Sequence, residues 1–116
     1  GGVWSANYAH FGLQVPKELY EFPSFPYPKS KDWDLFPAGA AVQEYIEAFA
    51  SHFSLYRHVK FNTSVVKLEP PSEARRGWNV FHKPSNDEND AVYSEPFDFV
   101  VVATGMYNYP NIPAAE

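Results

Sequence analysis

The stretch that most constrains the fold is residues 98–113, DFVVVATGMYNYPNIP. Phe99, Val100, Val101 and Val102 form an unbroken apolar run with three β-branched residues. Such a run reads as a strand covered on both faces, because a half-exposed strand alternates apolar and polar positions. It is expected to be the last strand of a parallel sheet. Ala103, Thr104 and Gly105 are small, so the backbone can turn where the strand stops and a bulky group can come close. In open α/β sheets, ligands sit outside that carboxyl edge. Tyr107, Tyr109, Pro110, Ile112 and Pro113 follow, too rich in proline for a helix and too aromatic for a free tail. They predict a packed crossing, over 98–113 with the strand itself, towards a second domain.

Residues 1–37 are irregular yet rich in rings, among them Tyr20, Phe22, Phe25, Tyr27, Trp33 and Phe36, interleaved with Pro23, Pro26, Pro28 and Pro37. A free polyproline ligand would leave those rings in water. A loop packed over a binding cleft is the expectation instead. The pattern then changes. Val42, Tyr45, Ile46, Phe49, Ala50 and Phe53 recur at three- and four-residue spacing, with Gln43, Glu44, Glu47, Ser51 and His52 opposite. This predicts an amphipathic helix over 40–53, within a helical segment 38–56, with His52 on the solvent side.

Residues 57–97 read as strands and a β-ribbon. Residues 59–69 form one strand, or two joined at Asn62, Thr63 and Ser64, and Pro70 and Pro71 stop them. Trp78, Val80 and His82 alternate with Asn79, Phe81 and Lys83 as in an antiparallel ribbon. A polar tip follows at 83–90, and 91–97 returns. The order of loop, helix, strand, ribbon and buried strand predicts an α/β fold. It is that of a partial Rossmann-like domain over residues 1–116, with an inserted antiparallel β-ribbon, lacking the first βαβ unit. That unit would carry a Gly-rich phosphate loop and a ribose-binding acid, and no GxGxxG occurs in the sequence. The chain is therefore expected to be a piece of a longer protein.

Composition removes several function classes. The net charge is -5 and no basic cluster occurs, which argues against nucleic acid as a partner. With no cysteine, disulfides, thiolate catalysis and zinc–thiolate sites are out of reach, and the compartment stays open. No apolar run approaches the roughly 18 residues of a membrane span. His10, His52, His58 and His82 lack metal-ligand spacing, so no metal site is expected.

Several motifs gain meaning together: GGVW at 1–4, YAHFGLQVPKE at 8–18, FPSFPYP at 22–28, FNTSVVKLE at 61–69, and ATG after the apolar strand. ATG alone is a weak signal, but in this order the set resembles flavin-containing monooxygenases over nearly the whole chain. The resemblance implies a parent enzyme that uses FAD and NADPH. It would form a flavin C4a-hydroperoxide and pass one oxygen atom of O2 to a soft nitrogen or sulfur nucleophile on a small molecule. It implies that Gly2 lets the backbone pass close to the flavin, and that Val3 and Trp4 cover part of the cofactor. It further implies that the Val65 backbone meets the FAD adenine, and that Thr104 and Gly105 lie near the flavin at the passage to an NADP domain. Trp4 is also readable as a core aromatic, and Val65 as a buried β residue.

Gln14 is the candidate for a catalytic role. In many relatives the corresponding position is Asn, whose amide contacts NADP and flavin near the reacting oxygen; Gln keeps the amide one methylene further out. A reactive oxygen adduct must be held by fixed donors and kept from water. Leu13 is expected to share the NADP contact through its backbone. Two other readings stay open. One is a Baeyer–Villiger monooxygenase, against which the PKE and FPxP features speak. The other is a non-catalytic fragment or pseudoenzyme that packs against a partner, and the isolated chain is itself expected to be inactive because no phosphate loop grips the FAD pyrophosphate.

Overall fold

Rings spaced along residues 20–53 decide how the first part of the chain packs. The computed structural model describes residues 2–5, 8–73, 76–86, 90–105 and 112–113. They fall into two units, residues 1–57 with 105–116, and residues 58–104.

In the first unit, helix α1 spans Gly39–His52, within a residue of the predicted bounds. Val42 and Tyr45 are wholly buried, and Ile46 and Phe49 are half-buried beside them, so the predicted apolar stripe is the face that packs. The residue before the helix, Ala38, has no side chain able to cap it. A loop carbonyl does so instead: the Gly39 N–H donates to Phe11 O at 2.8 Å, satisfying one of the unpaired amides of a helix start. His52 is exposed as expected, with its ring 5.0 Å from that of Phe25.

The aromatic loop is packed, and one side chain holds it. The Tyr45 hydroxyl accepts the Phe22 N–H at 2.8 Å and donates to the Phe25 carbonyl at 2.5 Å. Phe25 N–H in turn donates to Phe22 O at 2.9 Å, closing a tight turn over the helix. Tyr27 stacks on Tyr45 with centroids 4.0 Å apart, and Trp33 meets Tyr27 edge-on at 5.0 Å. Such pairs add to the area the rings bury. The Trp33 indole N–H donates to Pro28 O at 2.9 Å, as a buried indole requires. Pro23, Pro26, Pro28 and Pro37 carry no N–H, so those positions leave no main-chain donor to satisfy. Burial pushes the Tyr27 phenol up to about 12 and raises that of Tyr45.

In the second unit, strands β1 (Thr63–Glu69), β2 (Trp78–Pro84) and β3 (Tyr93–Phe97) form an antiparallel sheet in the order β1-β2-β3. Trp78 faces Phe97 and His82 faces Tyr93, while β1 carries a bulge between Val65 and Lys67. Gly77 enters β2 at φ 75°, and a Cβ there would stand 2.6 Å from the Phe97 carbonyl oxygen, so the turn requires glycine. Lys60 pairs with Glu95, which also meets His82 Nε2 at 3.2 Å. The hydrogen bonds from Lys60 and then His82 hold the Glu95 carboxyl below its ordinary value.

Two expectations change here. The ribbon of β2 and β3 is present, but β1 joins it as a third antiparallel strand, and residues 59–62 lie outside any strand. Residues 98–105 are not a strand either. Phe99 and Val101 are each 88% exposed, contrary to a run covered on both faces. The physical reason is pairing: a parallel strand needs a parallel neighbour for its ladder, and none exists among the described residues. Of the predicted crossing, Tyr107, Tyr109 and Pro110 lie outside the described residues, and Ile112 and Pro113 are exposed. No helix among the described residues is long and apolar enough to cross a membrane.

Candidate functional site

The loop at 8–14 is drawn against residues 34–39 by main-chain contacts. Gly12 bridges Ala38 in antiparallel fashion, Leu13 N–H donates to Pro37 O at 2.9 Å, and Phe11 O takes the Gly39 amide. Two glycines permit this closeness. A Cβ on Gly12 would stand 2.9 Å from Pro37 O, and one on Gly39 would stand 2.2 Å from the Phe11 ring.

A cavity of about 420 Å³ opens along this seam. That falls in the ~300–1,000 Å³ range of small-molecule sites. Tyr8, Phe11, Leu13 and Phe36 give it flat apolar walls, and His10, Gln14 and Asp34 give it polar groups, with no Lys or Arg among the described lining residues. His10 is held at φ 65°, an uncommon left-handed conformation for a residue with a Cβ. Asp34 is positioned by its neighbours. Lys17 Nζ donates to Trp33 O at 2.9 Å, and Lys17 N–H donates to Leu35 O at 2.9 Å, so one residue grips the chain on both sides of Asp34.

The cavity gathers part of the predicted set. Leu13 and Gln14 both line it; Leu13 is buried with its N–H committed to Pro37, while Gln14 is exposed. Trp4 adjoins it, since its ring stacks on Phe11 at 5.6 Å and its indole N–H donates to the Tyr20 hydroxyl at 2.8 Å. Gly2 adopts φ 72° with nothing within 4 Å of where a Cβ would stand, and its carbonyl accepts from Ser5 Oγ at 2.9 Å. Val3 beside it is exposed. Gly105, at φ 80°, belongs to the same unit. Val65 and Thr104 belong to the sheet unit, both exposed, and Val65 lies at the bulge of an edge strand rather than in a core.

Sequence reasoning overlooked Asp34, His10 and the part played by Lys17. The sequence around Asp34 carried little signal, because Asp32 stands two residues before it and both fall between aromatic positions of the loop. Lys17 lay inside a noted motif, but its grip on main-chain carbonyls depends on three-dimensional proximity.

The profile of the family described as flavin-binding monooxygenase-like matches residues 5–116. A probable flavin-containing monooxygenase 1 of Arabidopsis thaliana is 34% identical over 133 aligned residues, covering 98% of this chain and 25% of that protein. Flavin-containing monooxygenase 3 of Macaca mulatta is 36% identical over 125, covering 97% of this chain and 22% of its own length. Among solved structures, S-allyl-L-cysteine S-oxygenase from Allium sativum superposes with a TM-score of 0.74 at 29% identity, over 90% of this chain and 23% of that one. The chain thus spans about a quarter of the length of these relatives. With a profile match that takes in the cavity loop, the helix and the sheet alike, the chain belongs to the flavin-binding monooxygenase-like family.

Proposed function

We propose that this chain supplies part of the cofactor and substrate site of an FAD- and NADPH-dependent monooxygenase that oxygenates a soft nitrogen or sulfur nucleophile. The observation that carries the reading is the cavity lined by Leu13 and Gln14, in a chain whose family is named for binding flavin. Its lining suits the ring ends of the two cofactors. Flat aromatic and aliphatic walls accept a fused ring, whereas the described lining residues include no Lys or Arg to pair with a pyrophosphate. Gly2 fits the same role, because its left-handed turn leaves open space beside the backbone for a flat group to approach. Edge strand β1 offers unpaired main-chain groups on one side near Val65, suited to an adenine.

When bound, FAD supplies activation of dioxygen with electrons from NADPH. The chain's own residues bind and orient. The Gln14 amide donates to the oxygen being transferred, the role donors play in such sites. Phe11, Leu13 and Phe36 supply the apolar surface beside it, and the Trp4 ring stacks on that of Phe11. With its N–H committed to Pro37, Leu13 meets NADP through its carbonyl. Thr104 and Gly105 serve binding only. One oxygen atom ends on the nucleophile and the other leaves as water, with two electrons from NADPH. Sulfur is the favoured nucleophile, because a structural neighbour, from Allium sativum, is an S-oxygenase.

In the whole protein, residues 98–105 then form the last strand of a Rossmann-like sheet. The exposed Phe99 and Val101 support this, since a contiguous apolar patch marks a covered surface. The reading is tested in the whole protein with Gln14→Ala. Product formed per NADPH consumed is expected to fall by roughly tenfold or more, the lower end of what losing one oxyanion donor costs. Unchanged coupling would remove Gln14 from the reacting centre. Oxygenation of a ketone in preference to a sulfide would replace this chemistry with the Baeyer–Villiger kind.

A further inference from the structure

Trp4 stands between the cavity and the surface. Its ring stacks on that of Phe11, a wall of the cavity, at 5.6 Å and meets Tyr20 edge-on at 5.5 Å. The indole Nε1–H donates to the Tyr20 hydroxyl at 2.8 Å, and Tyr20 is 37% exposed. An indole nitrogen only donates, whereas a phenol oxygen both accepts and donates. The Tyr20 oxygen accepts the indole N–H, so its own O–H turns to another acceptor, which water supplies at an exposed ring. The buried rings are built otherwise. Tyr27 and Trp33 also meet edge-on, at 5.0 Å, but the Tyr27 hydroxyl is shielded and has no hydrogen-bond partner among the described residues. The hydroxyl of the wholly buried Tyr45 donates to the Phe25 carbonyl. A phenol that loses an electron must shed its proton, and neither of those surroundings takes one; a charge left there would be buried and unpaired. The Trp4–Tyr20 pair has the exit that those rings lack. Sulfur side chains ordinarily take up stray oxidants, and this sequence holds no cysteine and one methionine.

We propose that Trp4 and Tyr20 form an electron relay, which draws one-electron oxidation out of the cavity and delivers it to a water-soluble reductant of the thiol or ascorbate class. The inference rests on the monooxygenase reading for its oxidant, a hydroperoxyl radical formed when dioxygen takes up one electron and one proton instead of completing the transfer. The Trp4 indole gives that radical one electron across the Phe11 wall, and with a proton from solvent it leaves as hydrogen peroxide. The indole keeps its N–H on the Tyr20 oxygen. Tyr20 then returns one electron to the indole and releases its phenolic proton to water. The tyrosyl radical takes one hydrogen atom from the reductant, which restores the phenol. The net transfer is one hydrogen atom from the reductant to the hydroperoxyl radical.

The test uses the whole protein. Azide radicals made by pulse radiolysis oxidise indoles directly, so the first arm needs no cofactor chemistry. An indole radical should form and give way in part to a tyrosyl radical, each followed by its absorption. Tyr20→Phe, which keeps the ring, should leave the first signal and remove a share of the second, and Trp4→Phe should remove the same share. With both substitutions the loss should be no larger than with one, as for two members of a single path. Losses that add, or a tyrosyl signal unchanged in Tyr20→Phe, overturn the proposal. The second arm supplies FAD, NADPH and O2 without a nucleophile. Tyr20→Phe is expected to oxidise NADPH at the initial rate of the unmodified protein, to fail after severalfold fewer turnovers, and to accumulate hydroxylated Trp4, read by mass spectrometry. Equal survival of the two proteins overturns the relay as a route out of the cavity. A whole protein that consumes no NADPH in this arm refutes the monooxygenase reading, and the radiolysis then decides the relay alone.

Discussion

The two units of the chain bury their apolar residues to very different extents. The loop and helix unit closes on itself: Tyr27, Trp33, Val42 and Tyr45 are buried, and the contacts that bury them join residues fewer than thirty positions apart. The sheet unit has no fully buried residue among those described, and the apolar run at its end lies open. Both are rich in apolar side chains, so hydrophobicity alone does not separate them. What separates them is where the covering surface comes from. In the first unit, α1 and the loop before it are each other's cover. The sheet and the run at 99–102 find no such cover among the described residues.

The strongest way to break this contrast is to remove the centre of the closed unit. Tyr45→Ala deletes a wholly buried ring that also clamps Phe22 and Phe25, and about 3–5 kcal/mol of stability should go with it. Denaturant titration of the 116-residue chain measures this, and a loss below 1 kcal/mol, the ~1 kcal/mol of an average point mutation, would mean that the unit is not organised around that ring. A much smaller effect is expected in the open region. Val101→Asp should change the stability of the same chain by no more than about 0.5 kcal/mol, as at other surface sites. In the whole protein the same change should be severe, because it would bury an unpaired charge. Equal, mild effects in both settings would refute the covered-strand reading.

The least effect is expected from the Lys60–Glu95–His82 cluster, which sharpens the contrast through pH. The folded state holds the Glu95 carboxyl below its ordinary 4.5, so its contribution is present above that value and is lost as pH falls further through the folded value. Protection factors of the β2 and β3 amides, which correct for the intrinsic slowing of exchange in acid, should therefore fall on acidification. Lys60→Ala should weaken this dependence and leave exchange in α1 unchanged, and the same acid response with or without Lys60 would remove that ion pair from the account.

How much of this was legible in the sequence follows the same division. Helix α1 and its buried stripe could be read from spacing, because a helix makes its hydrogen bonds within its own segment. The ribbon could be read from alternation and its polar tip. The run at 99–102 reads in the sequence as a strand covered on both faces, yet in this chain it is exposed and unpaired, because an apolar run states a need for cover and not its presence. At the site, motif resemblance points to Gln14 and Leu13, and both line one cavity. Asp34 escaped notice because the seam that brings residues 8–14 and 34–38 together exists only in the folded chain.

Lys17 holds its two carbonyls with its own amide and its own ammonium, and the side chain of residue 34 takes no part in that grip. Position 34 is therefore a socket whose frame does not depend on what is plugged into it. A library of all replacements at that position should yield proteins of nearly uniform folding, so this point of the seam is free to vary in sequence while the frame around it stays put.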